Sequence, residues 1–146
     1  MTLFIISIAL NFSLLVTITV SSAIIFGEIY MMEIMSPWYY FCFMELKGLS
    51  KEQQQFALNV ELRFEDTLME SISEGVEAGL FTCDKPELLA SQVTAQLQQW
   101  HLKHWKFKLR EVKTEEYAQF VFDSLMTCLG SQQAIEESPV KLQRIG

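Results

Sequence analysis

The first 27 residues, Met1–Gly27, contain no charged side chain, whereas the rest of the chain is acidic and amphipathic. A run of that length and polarity has to be covered by protein or by lipid, or be cut away, because a long apolar surface does not stay in water. The first charged residue is Glu28 and the first basic one is Lys47, so the whole net charge of −7 belongs to Glu28–Gly146. Half of the residues are hydrophobic, and 146 residues are enough for one core but not for two. Several roles stand open for the run. It is long enough for a membrane-spanning helix through residues 3–26, with no flanking charge to set an orientation. As a signal peptide it lacks a basic start, and Val20-Ser21-Ser22-Ala23 is a poor cleavage site. It also suits a buried core helix, or translated sequence foreign to the domain behind it.

Behind the run the chain reads as amphipathic helices with local start and stop signals. Ile24–Met35 continues helically and stops before Pro37, since a residue preceding proline disfavours the α region. The aromatic stretch Pro37–Lys47 is short and helical, and Gly48 closes it. Ser50 with Gln53 forms a capping box that opens the longest helix. Along it Val60, Phe64, Leu68, Ile72, Val76 and Leu80 recur every fourth residue, with glutamates on the other faces, and Gly79 ends it. Asp84-Lys-Pro-Glu87 starts a helix that runs to about Arg110 and carries Leu89, Val93, Leu97, Trp100, His104 and Phe107 on one side. Thr114-Glu-Glu116 caps the last helix, which ends at Leu129-Gly130. Its apolar side, Tyr117, Phe120, Val121, Leu125 and Cys128, is widened by Ala118, Phe122, Met126 and Leu129, so it needs cover on more than one side. Ser131–Gly146 has no period and reads as a frayed tail. The domain organisation expected is an apolar segment 1–23, a helical domain 24–130 and a tail 131–146.

Several functions are disfavoured. An acidic body does not neutralise phosphates, and the basic group Lys103, Lys106, Lys108, Arg110 and Lys113 fits a solvated helix end. Cys42, Cys83 and Cys128 are odd in number and widely spaced, neither a disulfide framework nor a zinc pattern. His101 and His104 lack a third metal ligand at a convincing spacing, so no metal or other cofactor is expected. There is no nucleophile elbow, phosphate loop or dinucleotide fingerprint, and the chain does not read as an enzyme. Trp38, Tyr39, Phe41, Phe43 and Met44 are rigid aromatics with an adaptable methionine, the material of an apolar pocket or of plain core, and Glu45 is either its polar anchor or exposed.

The order of these signals resembles the C-terminal regulatory half of TetR-family transcriptional regulators. The resemblance lies in Pro37-Trp-Tyr-Tyr-Phe41, Phe43-Met-Glu-Leu-Lys47 and Glu74-Gly-Val-Glu-Ala-Gly-Leu-Phe81, then in Trp100-His-Leu-Lys-His-Trp-Lys-Phe107 and Thr114-Glu-Glu-Tyr117, and it covers residues 24–129. It implies an all-α, TetR C-terminal-like helical bundle, here preceded by a long apolar N-terminal helix. It further implies a pocket for an apolar small-molecule effector, lined by Trp38, Tyr39, Cys42, Phe43, Met44, Phe64, Leu68, Ile72, Trp100 and His104. The last two helices would pair with those of a second subunit through Leu97, His101, Tyr117, Phe120, Val121, Ser124, Leu125 and Cys128. The partner would be a second copy or a full-length TetR-like regulator. The family's N-terminal helix-turn-helix has no counterpart before residue 24, so direct operator binding by this chain is not expected. The expected function is therefore an effector-binding regulatory domain, cytoplasmic or held at a membrane by its first segment. The alternatives are a membrane-tethered helical interaction module, or a truncated regulator fragment without independent activity.

Overall fold

The computed structural model describes residues 2–130; within that range the side chains of 2–11, 13 and 41–43 are not described, and the tail 131–146 lies outside it. The chain is all-α. Its elements are α1 (Thr2–Ile34), α2 (Ser36–Met44), a 3-10 turn (Leu46–Gly48), α3 (Lys51–Glu77), α4 (Pro86–Leu102), α5 (His104–Leu109) and α6 (Thr114–Leu129).

The apolar run forms all of α1 before Glu28, in a helix of 33 residues, about 50 Å long at 1.5 Å per residue. It passes the expected boundary at residues 23–24 without a break. From residue 17 onwards one stripe of it is buried, Thr17, Ser21, Ile25, Ile29 and Met32, at helical spacing. That stripe packs on α3, α6 and α4. The Ser21 and Ser71 hydroxyls meet at 3.2 Å, so the two small polar groups buried between α1 and α3 satisfy each other. At the other end of the contact the Tyr30 hydroxyl donates to Glu115 (3.1 Å) and the Thr114 hydroxyl donates to Glu33 (2.6 Å), tying α1 to the start of α6. Among the described residues, large apolar side chains on other faces of α1 are exposed, Phe12, Leu15 and Ile34 most of all.

The helix ends follow their local chemistry. α1 stops at Ile34, one residue short of the expected end, and Ser36, the residue before Pro37, already belongs to α2; the Met35 carbonyl accepts from the N–H groups of Trp38 and Tyr39 as α2 begins. The aromatic helix ends earlier than its sequence suggests, at Met44, with the 3-10 turn between it and Gly48. Ser50 Oγ accepts from the Gln53 N–H and Gln53 Oε1 from the Ser50 N–H, the expected capping box. Gly79, at φ +72°, lets the chain turn back so that Leu80 N–H reaches the Gly75 carbonyl. Pro86 stands in the first turn of α4. Two ends differ from expectation. Thr114 does not cap its own helix, because its hydroxyl is spent on Glu33; the Glu116 carboxylate accepts the Lys113 N–H instead (3.4 Å). The single helix expected from Glu87 to Arg110 is broken at Lys103 into α4 and α5. The break gathers aromatic rings. Trp100 stacks on Phe107 at 5.3 Å and lies 4.8 Å from Tyr117, and Phe107 lies 4.7 Å from Tyr117. Aromatic pairs at such spacings contribute about 1 kcal/mol each beyond their burial, enough to outweigh one distorted helical turn.

One core runs through the molecule. Its fully buried members include Ile25 and Ile29 of α1, Leu68 and Ile72 of α3, Val93, Leu97 and Trp100 of α4, and Val121 and Leu125 of α6. The broad apolar side of α6 is thus covered largely from within the chain, by α1 and α4.

Candidate functional site

Around the 3-10 turn the helices splay apart. α1, α2, the turn, α3 and α4 enclose a cavity of about 710 Å³, open on one side. α2, which follows α1 after the Met35 joint, contributes Trp38 and Tyr39 to the wall. From α3 come Glu52, Phe56, Val60 and Phe64, one face at a four-residue repeat, together with Gln53, Ala57 and Glu61. Leu58 of α3, Glu28 and Met32 of α1 and Met35 just after it, Leu46 of the turn and Leu49 just after it, and Thr94, Leu97 and Gln98 of α4 complete the wall.

Two hydrogen bonds organise its polar part. The Tyr39 hydroxyl donates to Glu28 Oε1 at 2.8 Å, and Gln98 Nε2 donates to Glu61 Oε1 at 2.5 Å. Burial pushes the Glu28 carboxyl above the ordinary carboxylate range, against the smaller opposing pull of the Tyr39 hydrogen bond. A second hollow of about 270 Å³ lies behind Met32, between Glu33, Ser36, Trp100, His101 and His104. The Tyr39 and His101 rings, 5.9 Å apart, stand between the two spaces. Burial, and then the neighbouring His104, lower the His101 pKa. The indole N–H of Trp100, buried in the wall of the second hollow, has no hydrogen-bond partner among the described residues. No group of three or more His, Cys, Asp or Glu among the described residues is placed to hold a metal ion.

Of the ligand-binding residues expected from the sequence, Trp38, Tyr39 and Phe64 line the large cavity, and Trp100 and His104 line the smaller hollow. Leu68 and Ile72 do not reach either space; both are fully buried core, because the stripe on α3 dives beneath α1 after Phe64. Met44 is exposed and away from the cavity, as is Glu45. The side chains of Cys42 and Phe43 lie outside the described residues. The expected seam also divides. Leu97, Tyr117, Val121 and Leu125 are buried inside the chain, so they cannot face a second subunit while α1 is in place. Tyr117 additionally donates its hydroxyl to the Gln96 carbonyl at 2.7 Å, and burial pushes its pKa up to about 12. Phe120 and Cys128 are exposed on the outer face of α6, with Ser124 between them, and His101 is half-buried beside the smaller hollow.

Sequence reasoning missed most of the wall given by α1 and by the first half of α3. The four-residue repeat does extend backwards from Phe64 through Val60 and Phe56 to Glu52, and that extension was the available signal. Glu28, the first charge after an uncharged run and one turn ahead of the core residue Met32, was another. Compared with known protein families, with curated proteins and with solved structures, the chain matches none.

Proposed function

We propose that the chain is an effector-binding regulatory module of the TetR-like kind, which takes an oily small molecule into the α1–α4 cavity. The cavity itself carries this reading: about 710 Å³ of space, within the range of roughly 300–1,000 Å³ usual for small-molecule sites. It is apolar on most sides and fixed by two internal hydrogen bonds. A guest seated there touches three long helices and α2 at once, so it would favour one arrangement of those helices over others. The signal would be read by a partner subunit on the outer face of α6, around Phe120, Ser124 and Cys128, or by a head supplied by a full-length relative. The tryptophan at the mouth gives a direct test. Titration with decanol should shift the emission of Trp38 and raise Tm, by the equivalent of about 2.7 kcal/mol at a hundredfold excess over Kd. Trp38→Phe should remove most of the emission change and keep the thermal shift. Neither signal at saturating decanol would end this proposal.

A second reading rests on Phe12, Leu15, Val16 and Val20, which are exposed on a helix long and apolar enough to cross a membrane. The outer part of α1 would enter lipid while the part from Ile25 onward stays in the bundle, tethering the module. Amide hydrogen exchange with and without phospholipid vesicles separates the two cases: slowing confined to residues 12–20 supports a tether, and vesicle-independent exchange there excludes one.

A further inference from the structure

Charge decides what kind of oily molecule the large cavity suits. Its wall holds three carboxylates, Glu28, Glu52 and Glu61, and no lysine, arginine or histidine among the described residues. Two of the three are already hydrogen-bonded, Glu28 by the Tyr39 phenol and Glu61 by the Gln98 amide. Both donors are neutral. They orient the two half-buried carboxylates without supplying an opposite charge, so a cation seated beside them would gain a partner that the described wall does not provide. Each carboxylate also has an aromatic companion. Glu52 and Phe56 are one turn apart on α3, Glu61 and Phe64 are three residues apart on the same helix, and Glu28 holds the Tyr39 ring. Ring faces attract cations; Tyr39 and Phe64 are half-buried here, while Trp38 and Phe56 are exposed. An anionic amphiphile entering the same space would meet like charge from both α1 and α3, and a neutral one would dehydrate the carboxylates with nothing in return.

We propose that the cavity selects a lipophilic cation, an organic ammonium or related onium group carrying an alkyl or aromatic body, with Glu28 and Glu61 as its counter-ions and Trp38, Phe56 and Phe64 as its walls. This rests on the effector-binding reading above and names the ligand class for it. Glu52, in the first turn of α3, also serves the helix dipole, so it is the least selective of the three.

The experiment compares three probes of one chain length, decyltrimethylammonium, decanol and decyl sulfate, below their micellar concentrations, on the full chain, by calorimetry and thermal shift. The cation should bind about tenfold tighter than the alcohol, and the sulfate should bind weakest. Glu61→Gln, and separately Glu28→Gln, should each reduce the affinity for the cation at least about fivefold and leave that for decanol within twofold. Two variants are needed because Glu28 also orients Tyr39, and a change of fold there would show in the circular dichroism. Equal binding of cation and alcohol, or a preference for the sulfate, would overturn the inference and leave the cavity as a binding site. Binding of none of the three would overturn both.

Discussion

Gly75 and Gly79 lie four residues apart at the end of α3 and have different reasons to be glycine. Gly79 needs its positive φ to turn the chain. Gly75 has ordinary helical geometry, but a Cβ there would overlap the ring of Phe81, which is itself buried. The ring is locked over the helix by the loop, since the N–H groups of Leu80 and Phe81 both point at the Gly75 carbonyl. Alanine in a helix interior is ordinarily better than glycine by about 1 kcal/mol. Overpacking against a fixed ring costs about 1–3 kcal/mol, so here the steric cost wins. Gly75→Ala should lower Tm in thermal denaturation, and Phe81→Leu in the same chain should recover much of the loss. A rise in Tm for Gly75→Ala alone would show that Phe81 does not sit where it is placed.

At the scale of the element, α6 shows how far an amphipathic pattern reaches. Its apolar residues are legible as a face from their spacing, and the need for more cover than one neighbour gives is legible too. The identity of that cover is not. A second subunit was the expected lid, and α1 provides it instead on the Tyr117–Val121–Leu125 side. The outer side, with Phe120 63% exposed, is what remains for a partner. The two sides therefore predict different outcomes. Val121→Arg places an unpaired charge in the core, a cost of several kcal/mol, and should abolish cooperative unfolding. Phe120→Glu should keep the helical signal and the Tm, and in light scattering it should convert a dimer to a monomer. A folded Val121→Arg protein would contradict the packing of α6 on α1. An unchanged mass for Phe120→Glu would remove the outer face as the seam.

Helix ends were readable because a cap is chemistry within four residues. Ser50 and Gln53, Pro86 and Gly79 act as their types predict. The α4–α5 break was not readable, since Lys103 is neither glycine nor proline and the rings that favour the break meet only across the fold. The buried side of α1 was hidden for a related reason. A run apolar all round has no period, so nothing local distinguishes Ile25, which is buried, from Leu15, which is 62% exposed.

At the scale of the whole molecule, one arrangement carries the rest. α1 is both a beam of the core and a wall of the cavity, with Ile25 and Ile29 turned to the core and Glu28 lining the space beside them. The cavity itself left little trace in the sequence, because empty space is set by how whole helices splay and not by any residue's type. Trp38 and Tyr39 were recognisable as pocket material, while Glu28 and Gln98 acquire their meaning only when α1, α2, α3 and α4 are brought together. If α1 lay elsewhere, the cavity would lose its carboxylate–phenol pair and α6 would lose its cover. Amide hydrogen exchange of the full chain in aqueous buffer tests this arrangement most directly. Amides from Ile25 to Met32 should exchange as slowly as those of Leu68–Ile72 and Val93–Leu97, in one cooperative unit. Fast exchange of Ile25–Met32 beside a slow α3 and α4 would mean that the apolar helix stands apart from the bundle and would contradict its place in the core and the cavity wall.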